Sequence, residues 1–260
     1  MVNSMIGLAR PFDIGTPALT VACCAWFVAL SMHATGCAAQ PPARADEPLT
    51  AIDVLLLPGQ EMIDAAQRDN DRLRSDNPAG FSLDATHRPH ISLLQRYVRT
   101  ADLPKVYAAV RTILQRERPI GWKLSATGYY YLDFNNMALA GIVIEPTPDL
   151  RRLQQAVVAA VAPFTRSGGT AAAYVTTPSD PDVNQPTLDY VNAFVPQRTG
   201  ANFNPHVTIG VGQLSFVQGM QSKPFPTFRF QVIGAAVYHL GNYGTASQEL
   251  WRWRPVNAVE

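Results

Sequence analysis

The spacing of apolar and polar positions changes along the chain, and each spacing predicts one kind of element. A short apolar run at 52–57 ends at Pro58-Gly59 and predicts a buried strand. Apolar residues at helical spacing predict helices at 60–75, 103–118, 148–162 and, for a turn or two, 215–220. Strand-like patterns lie at 122–132, 137–145, 227–240 and 245–254. The stretch 167–204 is rich in Gly, Thr, Pro, Asp and Asn, and it predicts a long irregular insertion with one strand-like run at 190–195.

Two further strand patterns carry the same five-residue motif. Pro89-His90-Ile91-Ser92-Leu93 recurs as Pro205-His206-Val207-Thr208-Ile209, although the chain has only five histidines. Side chains alternate along a strand, so His90 and Ser92 share one face and the aliphatic residues share the other. Two such pairs of imidazole and hydroxyl, facing each other across a cleft, have the chemistry to hold a phosphate.

The two halves of the chain follow the same order of elements. Each half reads as an apolar strand, an amphipathic helix, a motif strand, a helical segment and a strand, with the insertion after Ser167 lengthening the second half. This pattern indicates a weak internal duplication. We therefore expect two alike lobes that bring the two histidines together in one groove.

The tetrads His90-Ile91-Ser92-Leu93 and His206-Val207-Thr208-Ile209 resemble the paired histidine motifs of the 2H phosphoesterases, and most closely their 2′-5′ RNA ligase-like family. The resemblance extends over about 52–253. It implies an α+β bilobal fold, in which two pseudo-symmetric lobes with antiparallel sheets line a central groove. It also implies an enzyme without a cofactor or metal, acting on a nucleotide or RNA end that carries a 2′,3′-cyclic phosphate or a 2′-5′ linkage.

In that interpretation His90 and His206 act as general acid and base, while Ser92 and Thr208 hold the phosphate oxygens. The sequence leaves open which histidine donates the proton, and whether the reaction is hydrolysis or ligation. The alternative from another functional class is an exported module that binds a phosphate or nucleotide without turnover.

Three other side chains are candidates for the same site. Arg96 shares the face of His90 and Ser92 if the alternation continues through the strand, and a guanidinium there would bind a phosphate; the alternative is a solvated arginine at a strand end. Tyr243 and Phe134 are candidates for stacking on a nucleobase, against the alternative of ordinary packing.

Metal binding is not expected from the sequence. His87 and His90 are three residues apart, but Pro89 between them argues against a helix that would align the two rings. No cysteine or acidic partner completes a tetrahedral set of ligands.

Charge and composition restrict the partners. The chain has 21 basic and 20 acidic residues, a net charge of +1, and 47% of its residues are hydrophobic. A globular domain with a sizeable core fits this composition. The balanced charge provides no overall attraction to a nucleic-acid backbone, so any recognition of a nucleotide must be local. We expect a monomer.

The N-terminus predicts an export signal. Arg10 precedes an apolar segment at 18–32, which is short for a membrane span, and Ala34-Thr35-Gly36-Cys37 resembles a lipobox with Cys37 as the lipidated residue. Cleavage after 43–45 and an uncleaved anchor are the alternatives. We therefore divide the chain into a leader at 1–37, a flexible tether at 38–50 and the domain at 51–256, and expect a bacterial periplasmic protein or outer-membrane lipoprotein anchored through Cys37.

We predict that the mature protein lacks the first 37 to 45 residues or retains Cys37 only as a lipid-bearing terminus. All three cysteines of the chain lie within 1–37, so processing would leave the domain without a disulfide. Mass spectrometry of the native protein tests this. An intact Met1 terminus in a soluble cytoplasmic fraction would refute export.

Overall fold

The structure is a computed structural model that describes residues 47–178 and 180–255. The predicted leader, Cys37 and the tether up to residue 46 lie outside the described residues and stay predictions. Within the described part, none of the helices has both the length and the apolar character needed to cross a membrane. The first strand begins at Leu49, two residues before the start that we expected for the domain.

The described residues form eight antiparallel strands in one hydrogen-bonded order, β5-β2-β1-β7-β3-β4-β6, with β8 pairing to β7. The predicted α+β class with antiparallel sheets is confirmed. The strands are β1 (Leu49–Pro58), β2 (Ile91–Arg99), β3 (Lys123–Phe134), β4 (Met137–Ile144), β5 (Thr165–Arg166), β6 (His206–Gln213), β7 (Phe228–Leu240) and β8 (Ala246–Arg252).

Five α-helices connect or cover these strands within the described ranges. They are α1 (Gln60–Asp76), α2 (Leu103–Glu117), α3 (Pro148–Val161), α4 (Gln185–Arg198) and α5 (Leu214–Gln221). The predicted start of α3 is confirmed, because the Thr147 side chain accepts a hydrogen bond from the Leu150 backbone N–H at 3.2 Å. Asp102 precedes α2 as predicted, but its carboxylate binds Arg99 and Lys105 instead of capping the helix.

Helix α4 corrects the prediction of an irregular insertion with a strand at 190–195. The Asn184 side chain accepts from the Thr187 backbone N–H at 2.9 Å and caps the helix, with Pro186 in the first turn. The residues buried by α4 are Thr187, Val191 and Phe194, at the spacing i, i+4, i+7. The aromatic and β-branched residues of this segment have high strand propensity, but tertiary packing of that stripe outweighs the propensity.

Strand β7 joins two halves of the sheet. Its first part, 228–231, pairs with β3, and the remainder, 232–239, pairs with β1. The helix that follows the central strand of one half packs over the motif strand of the other half: α1 contacts β6, and α3 contacts β2. The two halves are therefore interlocked around β7, and the motif strands β2 and β6 occupy equivalent places.

A β-bulge interrupts the first motif strand just after its hydroxyl residue. Ser92 pairs with Leu55, but Leu94 pairs with Val54, so Leu93 is one extra residue on β2. Beyond this point the alternation of side chains shifts by one residue. The face that carries Ser92 therefore continues with Gln95 rather than with the next even-numbered residue.

The second motif strand has a bulge at the same position of the motif. Thr208 pairs with Gly141 and Gly210 pairs with Ala140, which leaves Ile209 as the extra residue on β6. The two halves of the chain therefore share the position of the β-bulge as well as the sequence motif.

Helix α1 holds the second bulge in place through the fully buried Asn70. Its side-chain amide donates to the carbonyl of Ile209 at 2.8 Å and to that of Phe81 at 3.0 Å, and its oxygen accepts from the Leu83 backbone N–H at 3.2 Å. Gly210 follows with a φ of 138°, and a Cβ atom there would lie 2.8 Å from the Asn70 amide nitrogen. The glycine therefore serves the close approach of α1 to β6.

We predict that Gly210→Ala lowers the free energy of unfolding by about 1–3 kcal/mol, because the new methyl group meets Asn70 and the backbone conformation disfavours a Cβ. Urea denaturation, with the midpoint and the m-value both measured, checks this. Gly219→Ala is the matched control: Gly219 lies in α5, and apart from the backbone of that helix and the two neighbouring residues no atom lies within 4 Å of an added Cβ. This variant should be more stable by about 0.5–1 kcal/mol. Equal midpoints for the two variants would contradict the role of Gly210.

Candidate active site

The two motif histidines meet at one cavity, together with both motif hydroxyls. The cavity encloses about 110 Å³ and opens to solvent. His90 and Ser92 come from the β2 side, while His206 and Thr208 come from β6. The other residues that line it are Gln95, Tyr130, Leu132, Asp133, Phe134, Leu139, Asn184, Pro186, Thr187, Tyr190, Tyr243 and Gly244.

Both imidazoles are oriented by the same kind of hydrogen bond. Nδ1 of His90 lies 2.7 Å from the Arg88 carbonyl oxygen, and Nδ1 of His206 lies 2.8 Å from the Asn204 carbonyl oxygen. A carbonyl oxygen only accepts, so each Nδ1 carries a proton and donates it. In the neutral ring Nε2 is then the acceptor. The Nε2 atoms are therefore the nitrogens that can take up or release a proton in the site.

The first histidine lies beside a buried carboxylate. Asp53 of β1 is fully buried, and its Oδ2 lies 3.3 Å from Nε2 of His90. The same oxygen accepts from the Ser92 hydroxyl at 2.5 Å and from the Gln95 side-chain amide at 2.9 Å. Burial alone disfavours the charged ring, but Asp53 and the Arg88 carbonyl together outweigh it and raise the pKa of His90.

The second histidine has opposite electrostatics. Burial lowers the pKa of His206 to about 4, and the nearby positive charges of His90 and Arg198 contribute to the lowering. The Tyr130 ring packs on the His206 ring with the centroids 4.7 Å apart. At neutral pH His206 is therefore uncharged and able to accept a proton, whereas the surroundings of His90 stabilise its charged form relative to a free imidazole.

Arg96 does not line the cavity, which corrects its predicted place beside His90. The bulge at Leu93 shifts the alternation, so Gln95 faces the site. The Arg96 guanidinium instead donates to the carbonyl of Asn192 in α4 at 2.9 Å. Because of this one extra residue, the cavity wall formed by β2 carries the neutral amide of Gln95 and not the guanidinium of Arg96.

A different arginine, which the sequence did not single out, lies near the histidines. Arg198 ends α4 and lines a smaller adjoining cavity together with Ser92 and His206. Its guanidinium carbon lies 5.1 Å from the centroid of the Tyr190 ring, and its Nε is buried without a hydrogen-bond partner among the described residues. The helical spacing of Tyr190, Phe194 and Arg198 is the signal that would have predicted it, had 185–198 been recognised as a helix.

Both aromatic candidates from the sequence lie on the cavity wall. The rings of Tyr243 and Phe134 have their centroids 6.1 Å apart, and Tyr243 also contacts the ring of Phe81 at 5.8 Å. Tyr243 adopts a φ of 58°, and its backbone N–H donates to the Thr187 hydroxyl at 2.9 Å. Their positions suit stacking on a nucleobase, which stays a prediction.

The remaining described histidines belong to other environments. His87 contacts the Asp84 carboxylate at 3.1 Å and stacks on Phe81, and His239 hydrogen-bonds the Ala173 carbonyl at 2.8 Å. Among residues 47–178 and 180–255, no group of three or more His, Cys, Asp or Glu side chains is arranged to hold a metal ion.

Several solved structures have a similar chain path. TT0787 of Thermus thermophilus is 16% identical with a TM-score of 0.46, and the match covers 80% of this chain and 100% of that one. Escherichia coli LigT complexed with NADP+ is 13% identical with a TM-score of 0.40, covering 80% and 98%. Kluyveromyces marxianus Usb1 with uridine monophosphate is 12% identical with a TM-score of 0.39, covering 77% and 97%. None of these likenesses is close enough to bear on the activity of this chain.

None of the curated proteins matches the sequence. A family model does match it, over residues 63–243, which is more than half of the chain and includes both histidine motifs. The resemblance carried by the two tetrads is thereby confirmed. The chain belongs to the 2′-5′ RNA ligase superfamily.

Proposed function

We propose that the protein is a phosphoesterase that opens a 2′,3′-cyclic phosphate, or cleaves a 2′-5′ linkage, on a small nucleotide. The observation that carries this proposal is the shared cavity, in which two oriented imidazoles and two hydroxyls converge on one space. The pKa of the His90 imidazole is raised and that of the His206 imidazole is lowered to about 4, which is the order that a general acid and a general base require.

The reaction needs two proton transfers. For the cyclic phosphate, one histidine takes a proton from water while the water oxygen forms a bond to phosphorus. The bond from phosphorus to one ribose oxygen breaks, and the other histidine donates its proton to that oxygen. The product is a nucleoside monophosphate, and the proton taken from water returns through solvent to the histidine that gave one up.

Phosphate binding is assigned mainly to the second half of the site. The Thr208 hydroxyl lines the cavity and makes no hydrogen bond to another described residue, so it can donate to a phosphate oxygen. The Ser92 hydroxyl already donates to Asp53, and its oxygen accepts from the Gln95 side-chain amide at 3.2 Å, so it has no proton left to donate to a phosphate oxygen. Arg198 supplies a positive charge beside His206, and its buried Nε has no hydrogen-bond partner within the described ranges.

The charge of the walls favours a small substrate. No Lys or Arg is among the described residues that line the larger cavity, and its walls are largely aromatic and aliphatic. A long RNA strand would require several cations along its phosphates, whereas one nucleotide requires one. A nucleobase against Tyr243 and Phe134 fits the predicted stacking role of these rings.

We expect His90→Ala and His206→Ala each to reduce kcat on a nucleoside 2′,3′-cyclic monophosphate by about a hundredfold or more. The double variant should be little worse than either single one, because the pair acts as a unit. Ser92→Ala and Thr208→Ala should cost less. Steady-state kinetics of ring opening measures these changes in kcat, with a chelator in the reaction mixture and the product quantified by chromatography.

His239→Ala is the matched control, because this imidazole lies outside the cavity; it should stay within a few-fold of the wild type. Full activity of His206→Ala on every cyclic or 2′-5′ substrate that the wild type converts would refute the two-histidine reaction. Tight nucleotide binding by the wild type without any turnover would support the binding module instead.

We further expect Arg198→Gln to lower kcat/KM by about tenfold or more, since a charge-assisted hydrogen bond to phosphate contributes roughly 1.5–3 kcal/mol. Arg96→Gln is the comparison variant, because that guanidinium binds backbone carbonyls of α4 and does not line the cavity. Kinetics with the same cyclic substrate decides between them. A loss confined to Arg96→Gln would restore the original expectation that Arg96 binds phosphate.

A further inference from the structure

The two halves of the site are equivalent in backbone but not in charge. The bulges align Ser92 with Thr208, and the register then fixes the next pair on the same face of the strands in each half. In the first half that pair is Asp53 with Gln95, and in the second half it is Leu139 with Val211. The carboxylate that contacts His90 therefore occupies the register position that Leu139 occupies in the second half.

We propose that Asp53 is a positioning residue that assigns the roles of the two histidines, making His90 the proton donor and His206 the proton acceptor when the cyclic phosphate is opened. This inference rests on the proposed function, and it answers the question that the sequence left open.

The contacts of Asp53 show why it favours a charged His90. The carboxylate is fully buried, its Oδ2 is shared by Ser92, Gln95 and Nε2 of His90, and its Oδ1 is buried without a hydrogen-bond partner in the described part of the chain. The neutral donors Ser92 and Gln95 thus bind only one of the two carboxylate oxygens. A proton on Nε2 of His90 supplies the compensating cation at 3.3 Å, and a buried charge without such a partner is costly.

No comparable anion among the described residues contacts the second ring. His206 packs against Tyr130, with Leu139 lining the same cavity and Arg198 lining the adjoining one. The titratable or charged residues that face the two imidazoles from the surrounding elements are Asp53 on β1, Tyr130 and Asp133 on β3, Tyr190 and Arg198 on α4, and Tyr243 after β7. Of these, Asp53 is the carboxylate in contact with His90.

The assignment also orients the substrate. Attacking and leaving oxygens lie roughly in line on opposite sides of phosphorus. If His90 protonates the ribose oxygen, the nucleoside lies on the His90 side and the attacking water lies on the His206 side. Gln95 links this first side to the aromatic wall, because its amide donates to the carbonyl of Gly244, next to Tyr243, at 3.2 Å. The nucleobase is thereby directed towards Tyr243.

The pH dependence gives the test. The acidic limb of kcat/KM should follow loss of the base form of His206, with a pKa near 4, and the alkaline limb should follow loss of the acid form of His90, whose pKa is raised. Asp53→Asn removes the anion, so the pKa of His90 and the alkaline limb should both fall by about one unit or more. NMR titration of the histidine ring protons and the pH profile measure the two quantities separately.

Asp69→Asn is the matched control, because Asp69 is also buried but binds Tyr129 and Arg72 away from the cavity. It should leave both quantities unchanged. The wild-type titration is informative even if Asp53→Asn fails to fold, because a higher pKa for His206 than for His90 would overturn the proposal. In a folded and active Asp53→Asn variant, an alkaline limb at the wild-type pH would also overturn it. The wild type could convert no cyclic or 2′-5′ substrate while its histidines titrate in the expected order and Asp53→Asn lowers the pKa of His90. In that case the proposed function fails, but the electrostatic pairing of Asp53 with His90 stands.

Discussion

The extra residue in each motif strand determines which side chains can enter the cavity. Regular alternation would send every second residue of β2 to the site, including Arg96. Because of the bulge at Leu93, the next side chain of β2 after Ser92 that faces the site is Gln95. The equivalent bulge in β6 is held by Asn70 from the opposite half, so the placement of the second motif depends on the packing of α1.

A symmetric frame supports an asymmetric site because one position differs in polarity. Strand β1 is buried on both faces, and Asp53 lies within it among aliphatic neighbours. A carboxylate there is costly unless hydrogen bonds and a cation compensate it, and the low polarity of the surroundings strengthens each such contact. The same burial that disfavours a charged His206 therefore favours the pairing of Asp53 with His90.

The local patterns predicted what depends on neighbours in sequence. The two motifs, the first three helices and the aromatic residues near strand ends follow from periodicity and turn residues, and the structure gathers the motif residues, Phe134 and Tyr243 at one cavity. What could not be predicted depends on pairing between distant strands or on tertiary packing. Asp53 sits inside the apolar run 52–57 and acquires its role only through the register of β1 with β2. Gln95 replaces Arg96 because of a bulge that has no sequence signature of its own, and Arg198 reaches the histidines because 185–198 folds as a helix, against the strand propensity of its centre.

The charged groups nearest the two imidazoles suit the substrate of the proposed reaction better than its product. In that reaction the Asp53 carboxylate offsets a protonated His90, and Arg198 provides a positive charge near His206 for the single negative charge of a cyclic diester. Proton transfer from His90 and to His206 then moves one positive charge from the first ring to the second. The monoester product, with a second pKa of about 6, carries up to two negative charges at neutral pH. Once the product has lost a proton to solvent, it carries this second negative charge near an Asp53 carboxylate that no longer faces a charged His90, and the repulsion between the two favours release.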